Sequence, residues 1–421
     1  MNVAVIGNGG REHALVWKLS QSRNIGKLYA LPGNPGTMNL AENVEINPLD
    51  FKKILRFCES KSIGLVVIGP EDPLAAGLVD ALTDAGIRAF GPTKEAAQLE
   101  SDKWFAKELM KSQAVPTGEA RLFTTLRNAL AHIETREPPF VIKAAGLAKG
   151  KGVTIAYSME DAITALTSVM QEKIFGDAGT RVVIEEYLTG IEASVIALVS
   201  GNQLYMLEPC QDYKSLNDGN TGPMTGGMGA ISPTPNISRE LLATLEREVF
   251  IPVLDGLKRD GITYKGVLYA GIMLTESGPR VLEFNCRFGD PETQVLMMRL
   301  QNDLLEVMNA VVDGKLDSIE LKWDERPSIC VVATDKGYPG KTKSGLEITG
   351  VKDVDDQDDV RVFQSGTKRY GEQLQTNGGR VLGVTTLDAT PDDARRKAYD
   401  AMSKIRFAGM HFREDIGQTK R

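Results

Sequence analysis

The stretch VLEFNCRFGDPETQ, residues 281–294, crowds a carboxylate, an amide, a guanidinium and two further carboxylates into the end of an apolar run. Glu283 and Asn285 alternate with Leu282 and Phe284, so on a strand they share one face. Two hard oxygen donors on one face suit Mg²⁺ (or Mn²⁺), which takes few protein ligands and fills its shell with water and nucleotide phosphates. Arg287, one step further on the same side, can grip a transferring phosphoryl group or a carboxylate. An ion pair covering a sheet end would explain the charges but not the asparagine.

A second chemical cluster is IKAAGLAKGKGV, residues 142–153. Lys143 stands at a strand end. The following loop mixes Gly146, Gly150 and Gly152 with Lys149 and Lys151, so backbone amides can approach phosphate oxygens while ammonium groups neutralise them. Glu185 and Glu186 end another strand, with Glu192 beyond a turn, an arrangement that suits the adenine and ribose edges of a nucleotide. In VIGNGGREHA, Gly7 and Gly9 fit a dinucleotide fingerprint, but Glu12 occupies the third glycine position and the second strand ends in ALPG without an acid. Amides at that helix start favour an anion such as a phosphate monoester over NAD.

Composition narrows the remaining classes. A chain of 421 residues with 42% hydrophobic and 25% charged content is that of a globular protein of two to four units. A net charge of −7 speaks against broad nucleic-acid binding. No apolar run approaches a membrane span, and the briefly apolar start meets Arg11 and Glu12 at once, so neither membrane nor secretory leader is expected. Four dispersed cysteines read as free thiols in a reducing cytoplasm. Three scattered histidines offer neither a histidine metal cage nor a Ser-His-Asp triad, which leaves carboxylates, lysines, arginines and backbone. Phosphoryl transfer fits that inventory, because it rests on positioning and charge neutralisation.

The elements that must position these groups follow from periodicity. Residues 1–102 alternate short apolar strands with amphipathic helices, at 11–22, 50–60 and 74–85, and predict a Rossmann-like parallel sheet. PGNPG and GPEDP fall just past strand ends, where such sheets hold ligands. A smaller unit spans 123–188. Residues 103–122 and 189–325 form a central unit with long apolar strands and helices at 238–258 and 291–313. A Gly-rich loop, 211–235, interrupts it and is too long for a passive connection. Residues 326–421 read as a C-terminal α+β unit. The fold class is multidomain α/β.

Taken in order, GNGGREHA, PGNPGT, GPEDPLAAG, FGPTKEAAQLESDK, GLAKGKGV, QDYK, GPMTGGMGA, EFNCRFGDPETQ, TNGGRVL and REDIG resemble the glycinamide ribonucleotide synthetase family, the phosphoribosylamine–glycine ligases of the ATP-grasp superfamily. TGGMGA followed by EFNCRFGDPE is the specific part. The resemblance implies central and lid ATP-grasp subdomains, and de novo purine synthesis from ATP, glycine and 5-phosphoribosylamine. Glycine's carboxylate would attack the γ-phosphate to give glycyl phosphate, and the amine would then displace phosphate. By position, Lys103 and Lys143 contact the ATP phosphates with Gly150, Lys151 and Gly152. Glu185, Glu186 and Leu188 meet adenine, Glu192 the ribose, and Glu283 and Asn285 the metal. Departures from the family pattern fall at Ala145, Lys149, Ser215 and Met224.

Expected substrate contacts are Gly9, Gly10, Arg11, Glu12, Asn34, Pro70, Glu71, Lys214, Gly226, Gly227, Met228 and Gly229, the last four through backbone amides that also exclude water. Arg287 is the expected stabiliser of the carboxylate as it becomes an acyl phosphate. Asp290 or Asp212 would receive the glycine ammonium, and the sequence leaves both open. A monomer is expected. The competing readings are another ATP-grasp ligase such as a purine-pathway carboxylase, an NAD-dependent oxidoreductase, and a nucleotide sensor without turnover.

Overall fold

The computed structural model describes residues 1–148, 152–355 and 357–418. Five parallel strands open the chain: Asn2–Gly7, Leu28–Pro32, Glu42–Asn43, Ile63–Ile68 and Ala89–Phe90. Their order is third, second, first, fourth, fifth, so the chain reverses direction between the first and fourth strands. At that switch point the ends of Asn2–Gly7 and Ile63–Ile68 deliver the 7–12 turn and the 69–71 turn to one edge. Helix Gly10–Leu19 follows the first turn, and Glu12 reaches back so that Gly9 N–H donates to its carboxylate at 2.6 Å. The helix expected over 74–85 is instead Glu71–Ala76 and Leu78–Asp84, because Gly77 takes φ +94 and breaks the ladder.

A small antiparallel sheet comprises Ala120–Phe123, Phe140–Ala144, Val153–Ala156 and Val182–Glu186, beginning three residues before position 123. Helices Leu126–Ile133 and Met159–Met170 close over it on Ala129, Ile133, Phe140, Ile142, Leu166 and Ile184. A second antiparallel sheet is formed by Ile191–Ser200, Gln203–Met206, Lys265–Thr275 and Gly278–Asn285. In its last pair Gly271 opposes Glu283 and Ile272 opposes Val281, so Leu282 is an extra, unpaired residue. This bulge lets Val281 and Phe284, three apart, both face the core, while Glu283 and Asn285 lie together on the other side.

The segment 211–235, read from sequence as a loop, contains four short strands. Gln211–Asp212 and Gly229–Ser232 join Ser328–Asp335, Arg380–Leu387 and Val360–Gln364 in the C-terminal sheet. Between them Ser215–Asn217 and Thr221–Met224 make a hairpin. These strands are too short and too rich in Gly, Pro and Thr to show alternation, and neighbouring strands fix them. Helix Pro391–Met402 packs on the C-terminal sheet through Ala394, Ala398 and Met402. The 291–313 helix is two helices, Glu292–Arg299 and Leu304–Asp313, the second capped by Asp303. Among the described residues no helix is long and apolar enough to cross a membrane.

Candidate active site

The small sheet and the central sheet meet at the bulge. Lys143, on strand Phe140–Ala144, donates to the carbonyl of the unpaired Leu282 at 3.0 Å, one residue before Glu283. The same ammonium lies 3.0 Å from Glu185 Oε2, which Lys107 also meets at 2.9 Å. Glu185 is therefore buried between two lysines, while Glu186 is exposed and accepts from the Glu119 amide at 3.2 Å. Lys103 opens helix Lys103–Ser112. Burial lowers its pKa, and Glu283 is the first group to oppose that shift.

Lys214 enters from the other side. Its Nζ is 3.4 Å from Glu192 and 3.8 Å from Glu283. Burial would discharge it, but Asp212 and Glu192 raise its pKa well above the usual lysine range. Burial pushes the Asp212 carboxyl well above the carboxylate range against the pull of Lys214. Glu283 goes the other way: burial disfavours its charge, but Lys214, Lys143 and Lys103 outweigh it and lower its pKa. A carboxylate and an amide among three ammonium groups fit a divalent cation that arrives with anionic phosphates. Among the described residues no three His, Cys, Asp or Glu side chains gather as a cage that would hold a metal without such a substrate.

Arg287 is beside this pair, since its Nη2 donates to Asn285 Oδ1 at 3.3 Å. It is also gripped by Glu100 at 2.9 Å and Glu71 at 3.3 Å. Glu71 in turn lies 4.0 Å from Arg11, whose Nη1 donates to the Phe288 carbonyl at 3.2 Å. Burial favours the neutral acid at Glu71, but Arg287 and then Arg11 hold its pKa down at about 2. At Glu100 burial wins and the pKa rises. Asp290 is set apart from Asp212. It accepts from Gln294 Nε2 at 2.8 Å, lies 3.2 Å from Arg380, and borders the glycine turn, where a Cβ on Gly9 would be 3.5 Å from Asp290 Oδ2.

Several sequence expectations change here. The amides of the TGGMGA segment already have acceptors: Gly226 N–H donates to Tyr338 Oη at 2.8 Å, Gly227 N–H to Thr225 Oγ1 at 3.0 Å, and Met228 N–H to the Tyr213 carbonyl at 2.8 Å. Met228 is fully buried and Gly229 is part of a strand. The segment shapes the site as a braced wall. Asn34 is buried, with Nδ2 donating to the carbonyls of Asn8 and Gln364 and Oδ1 accepting from Gly36 N–H. Glu12 is likewise buried, against Gly9 N–H and Arg11 Nε. Both groups brace the turn internally. Pro70 precedes helix Glu71–Ala76, and Gly10 is close to Gln294, where an added Cβ would come within 2.7 Å of Nε2. Gly152 packs on Ala148, while Lys149, Gly150 and Lys151 lie outside the described residues. Ala145 lends its carbonyl to Lys103 N–H, and Ser215 and Met224 oppose each other in the hairpin.

Sequence reasoning missed four side chains. Glu100 was hidden in a helical stretch. Glu292 is buried and accepts from Ser194 Oγ at 2.9 Å and Tyr269 Oη at 2.6 Å, although it lies inside the very stretch that drew attention. Arg380 and Tyr338 come from the C-terminal unit. An open cleft of about 2560 Å³ runs along Thr154, Tyr187, Leu188, Glu192, Asp212 and Lys214.

The small sheet meets the central sheet where Lys143 touches the Leu282 carbonyl, the carboxylate–amide pair lies on the central sheet beside an open cleft, and flanking segments bring in Lys103 and Lys214; this is the arrangement of an ATP-grasp ligase. Family models described as phosphoribosylglycinamide synthetase match most of the chain: the N domain over residues 1–100, the ATP-grasp (A) domain over 101–293 and the C domain over 328–419. A phosphoribosylamine–glycine ligase of Rhodopirellula baltica is 48% identical over 99% of this chain and 97% of its own. Another, from Halalkalibacterium halodurans, is 45% identical over 99% and 96%. The crystal structure of a phosphoribosylamine–glycine ligase from Thermotoga maritima matches with a TM-score of 0.84 and 33% identity, over 99% of this chain and 100% of that one. The chain belongs to the phosphoribosylamine–glycine ligase family, the ADP-forming enzymes of de novo purine synthesis that join glycine to phosphoribosylamine. A biotin carboxylase from Campylobacter jejuni shares the fold alone, at 16% identity and a TM-score of 0.73 over 98% and 93% of the two chains.

Proposed function

We propose that this chain performs that ligation as a cytoplasmic monomer on Mg²⁺–ATP, with its charged groups divided between a phosphoryl end and an amine end. The observation that carries this reading is the Lys143 contact at the Leu282 bulge, which sets a phosphate-binding strand end one residue from Glu283. Glu283 and Asn285 would hold Mg²⁺, which when bound neutralises the β- and γ-phosphates of ATP. Lys103, Lys143 and Lys214, with Gly150, Lys151 and Gly152, receive the phosphates. Glu186 and Leu188 lie at the adenine and Glu192 at the ribose. Glu185 acts by holding Lys107 and Lys143 in place.

Arg287 orients glycine's carboxylate toward the γ-phosphorus. A carboxylate oxygen bonds to phosphorus as the bond to the β-phosphate oxygen breaks, giving glycyl phosphate and ADP. Asp212, at the Lys214 end, receives the glycine ammonium, whose positive charge opposes the effect of burial and favours the ionised carboxylate. Asp290, against the Gly9–Gly10 turn with Arg11 and Glu71 nearby, faces phosphoribosylamine. Its amine bonds to the glycyl carbon, phosphate leaves with the electron pair, and the amine proton passes to that phosphate. Four buried free cysteines support a reducing compartment.

ADP release with glycine and freshly generated phosphoribosylamine tests the reading, omitting each component in turn and chelating Mg²⁺. Turnover should require every component. ADP release at the full rate without glycine would overturn it, and sedimentation of a dimer at working concentration would overturn the monomer.

A further inference from the structure

The TNGGRVL motif, residues 376–382, has no part in the reaction as described, yet its arginine reaches the amine end of the site. Arg380 begins strand Arg380–Leu387 of the C-terminal sheet. Its Nη1 donates to the carbonyl of Gly226 at 2.7 Å and to the carbonyl of Asp290 at 2.6 Å, and its Nη2 lies 3.2 Å from Asp290 Oδ2. One planar fork thus joins two chain segments that the reaction brings together. The Gly226 peptide is held at both ends, because its N–H donates to Tyr338 Oη at 2.8 Å. Tyr338 is itself seated on Gly379, where an added Cβ would come 3.0 Å from ring atom Cε2. No slack separates the two segments. Gly227 has φ +114, and a Cβ there would lie 2.6 Å from Pro291 Cδ.

We propose that Arg380, steadied through the Gly226 peptide by Tyr338, is a positioning residue that keeps Asp290 and the 226–229 wall in register for amine attack on the acyl phosphate. The inference rests on the reading of the amine end given above. Its chemical consequence is coupling. When Asp290 and the wall are in register, the amine nitrogen bonds to the glycyl carbon and phosphate leaves. When they are not, water oxygen bonds to the same carbon, and glycine and phosphate are regenerated at the expense of one ATP. A small misplacement is enough to shift that competition.

The test compares the parent enzyme with Arg380→Lys and Tyr338→Phe, measuring ADP and glycinamide ribonucleotide in the same reactions. In Arg380→Lys, ADP formed per product should rise severalfold and KM for phosphoribosylamine by about tenfold, with KM for ATP unchanged. Tyr338→Phe should shift the same ratio less, because only the Gly226 N–H loses its acceptor. A parent enzyme without glycine-dependent ADP release would sink the underlying reading. A coupled parent together with a one-to-one ratio in Arg380→Lys would overturn the role of Arg380. If Arg380→Lys does not fold, Tyr338→Phe decides: raised uncoupling supports the inference, and unchanged coupling overturns it. A lowered Tm with unchanged coupling makes both residues merely structural and also overturns it.

Discussion

Lys214 faces Glu283, with Nζ 3.8 Å from Oε1, so an ammonium group stands where a divalent cation would approach that carboxylate. Like charges repel, so if Glu283 holds the metal, Lys214 would turn toward the phosphates as the cation binds. Lys214→Met should therefore strengthen Mn²⁺ binding to the nucleotide-free protein severalfold while lowering kcat/KM for ATP roughly tenfold, about 1.4 kcal/mol. Electron paramagnetic resonance titration with Mn²⁺ checks the first half and steady-state kinetics the second. Unchanged Mn²⁺ affinity would show that the two cations do not compete.

Glu283→Ala should leave the fold intact, since the side chain is on the cleft side of the bulge and Phe284 supplies the core contact. Turnover should fall by roughly a hundredfold to a thousandfold, several kcal/mol of transition-state stabilisation. Near-parental turnover at moderate Mg²⁺ would remove Glu283 from the metal site.

Glu185 bridges the buried ammonium groups of Lys107 and Lys143. Glu185→Gln removes the one carboxylate that both contact directly, and breaking a buried pair from one side costs about 3–5 kcal/mol. Thermal unfolding should show a clear loss of stability, and KM for ATP should rise. Glu186→Gln, on the exposed neighbour, should leave the Tm unchanged. Equal stability in both variants would refute the division between inward and outward carboxylates.

The long strands and the shared face of Glu283 and Asn285 were legible from sequence for a physical reason. Long runs such as 265–275 and 278–285 carry apolar periodicity, and Glu283 and Asn285 are a chemical anomaly within one of them. Strands Gln211–Asp212 and Gly229–Ser232 were not legible, because backbone bonds to distant strands specify them. The same limit hid Glu100. Its reason for being acidic is Arg287 and the Cys286 N–H, 186 or more positions away, and nothing within its own helix indicates that. The amides of Gly226 to Met228 looked available because a glycine run shows what a backbone can do and not which acceptors surround it.

Arg287 must satisfy Glu71 and Glu100 while touching Asn285, a task for a fork of several donors. Arg287→Lys keeps one charge but offers a single point of contact. It should lower the Tm, since Glu71 and Glu100 lose a shared partner, and it should impair turnover with a changed dependence on glycine concentration. If ADP release and glycine dependence both match the parent, Arg287 is not in the glycine site.

His13 links the N-terminal and C-terminal units and makes their docking sensitive to acid. Its Nδ1 accepts from the backbone N–H of Gln364 at 2.8 Å, and its ring stands edge-on to Phe363 at 5.5 Å. Acceptance requires the neutral ring, and burial lowers its pKa from 6.5 to about 4. Between those values the unfolded chain binds a proton that the folded chain does not, so stability rises with pH across that window and is lost as pH falls through it. The full change is on the order of 3 kcal/mol. His13→Asn offers an amide oxygen near the position of Nδ1 but does not titrate, so its denaturation midpoint should fall less steeply than the parent's between about pH 6.5 and pH 4. Shared carboxylates give both proteins the same background slope, so the difference between the two curves isolates the ring. Parallel curves would mean that His13 is not held neutral by the fold.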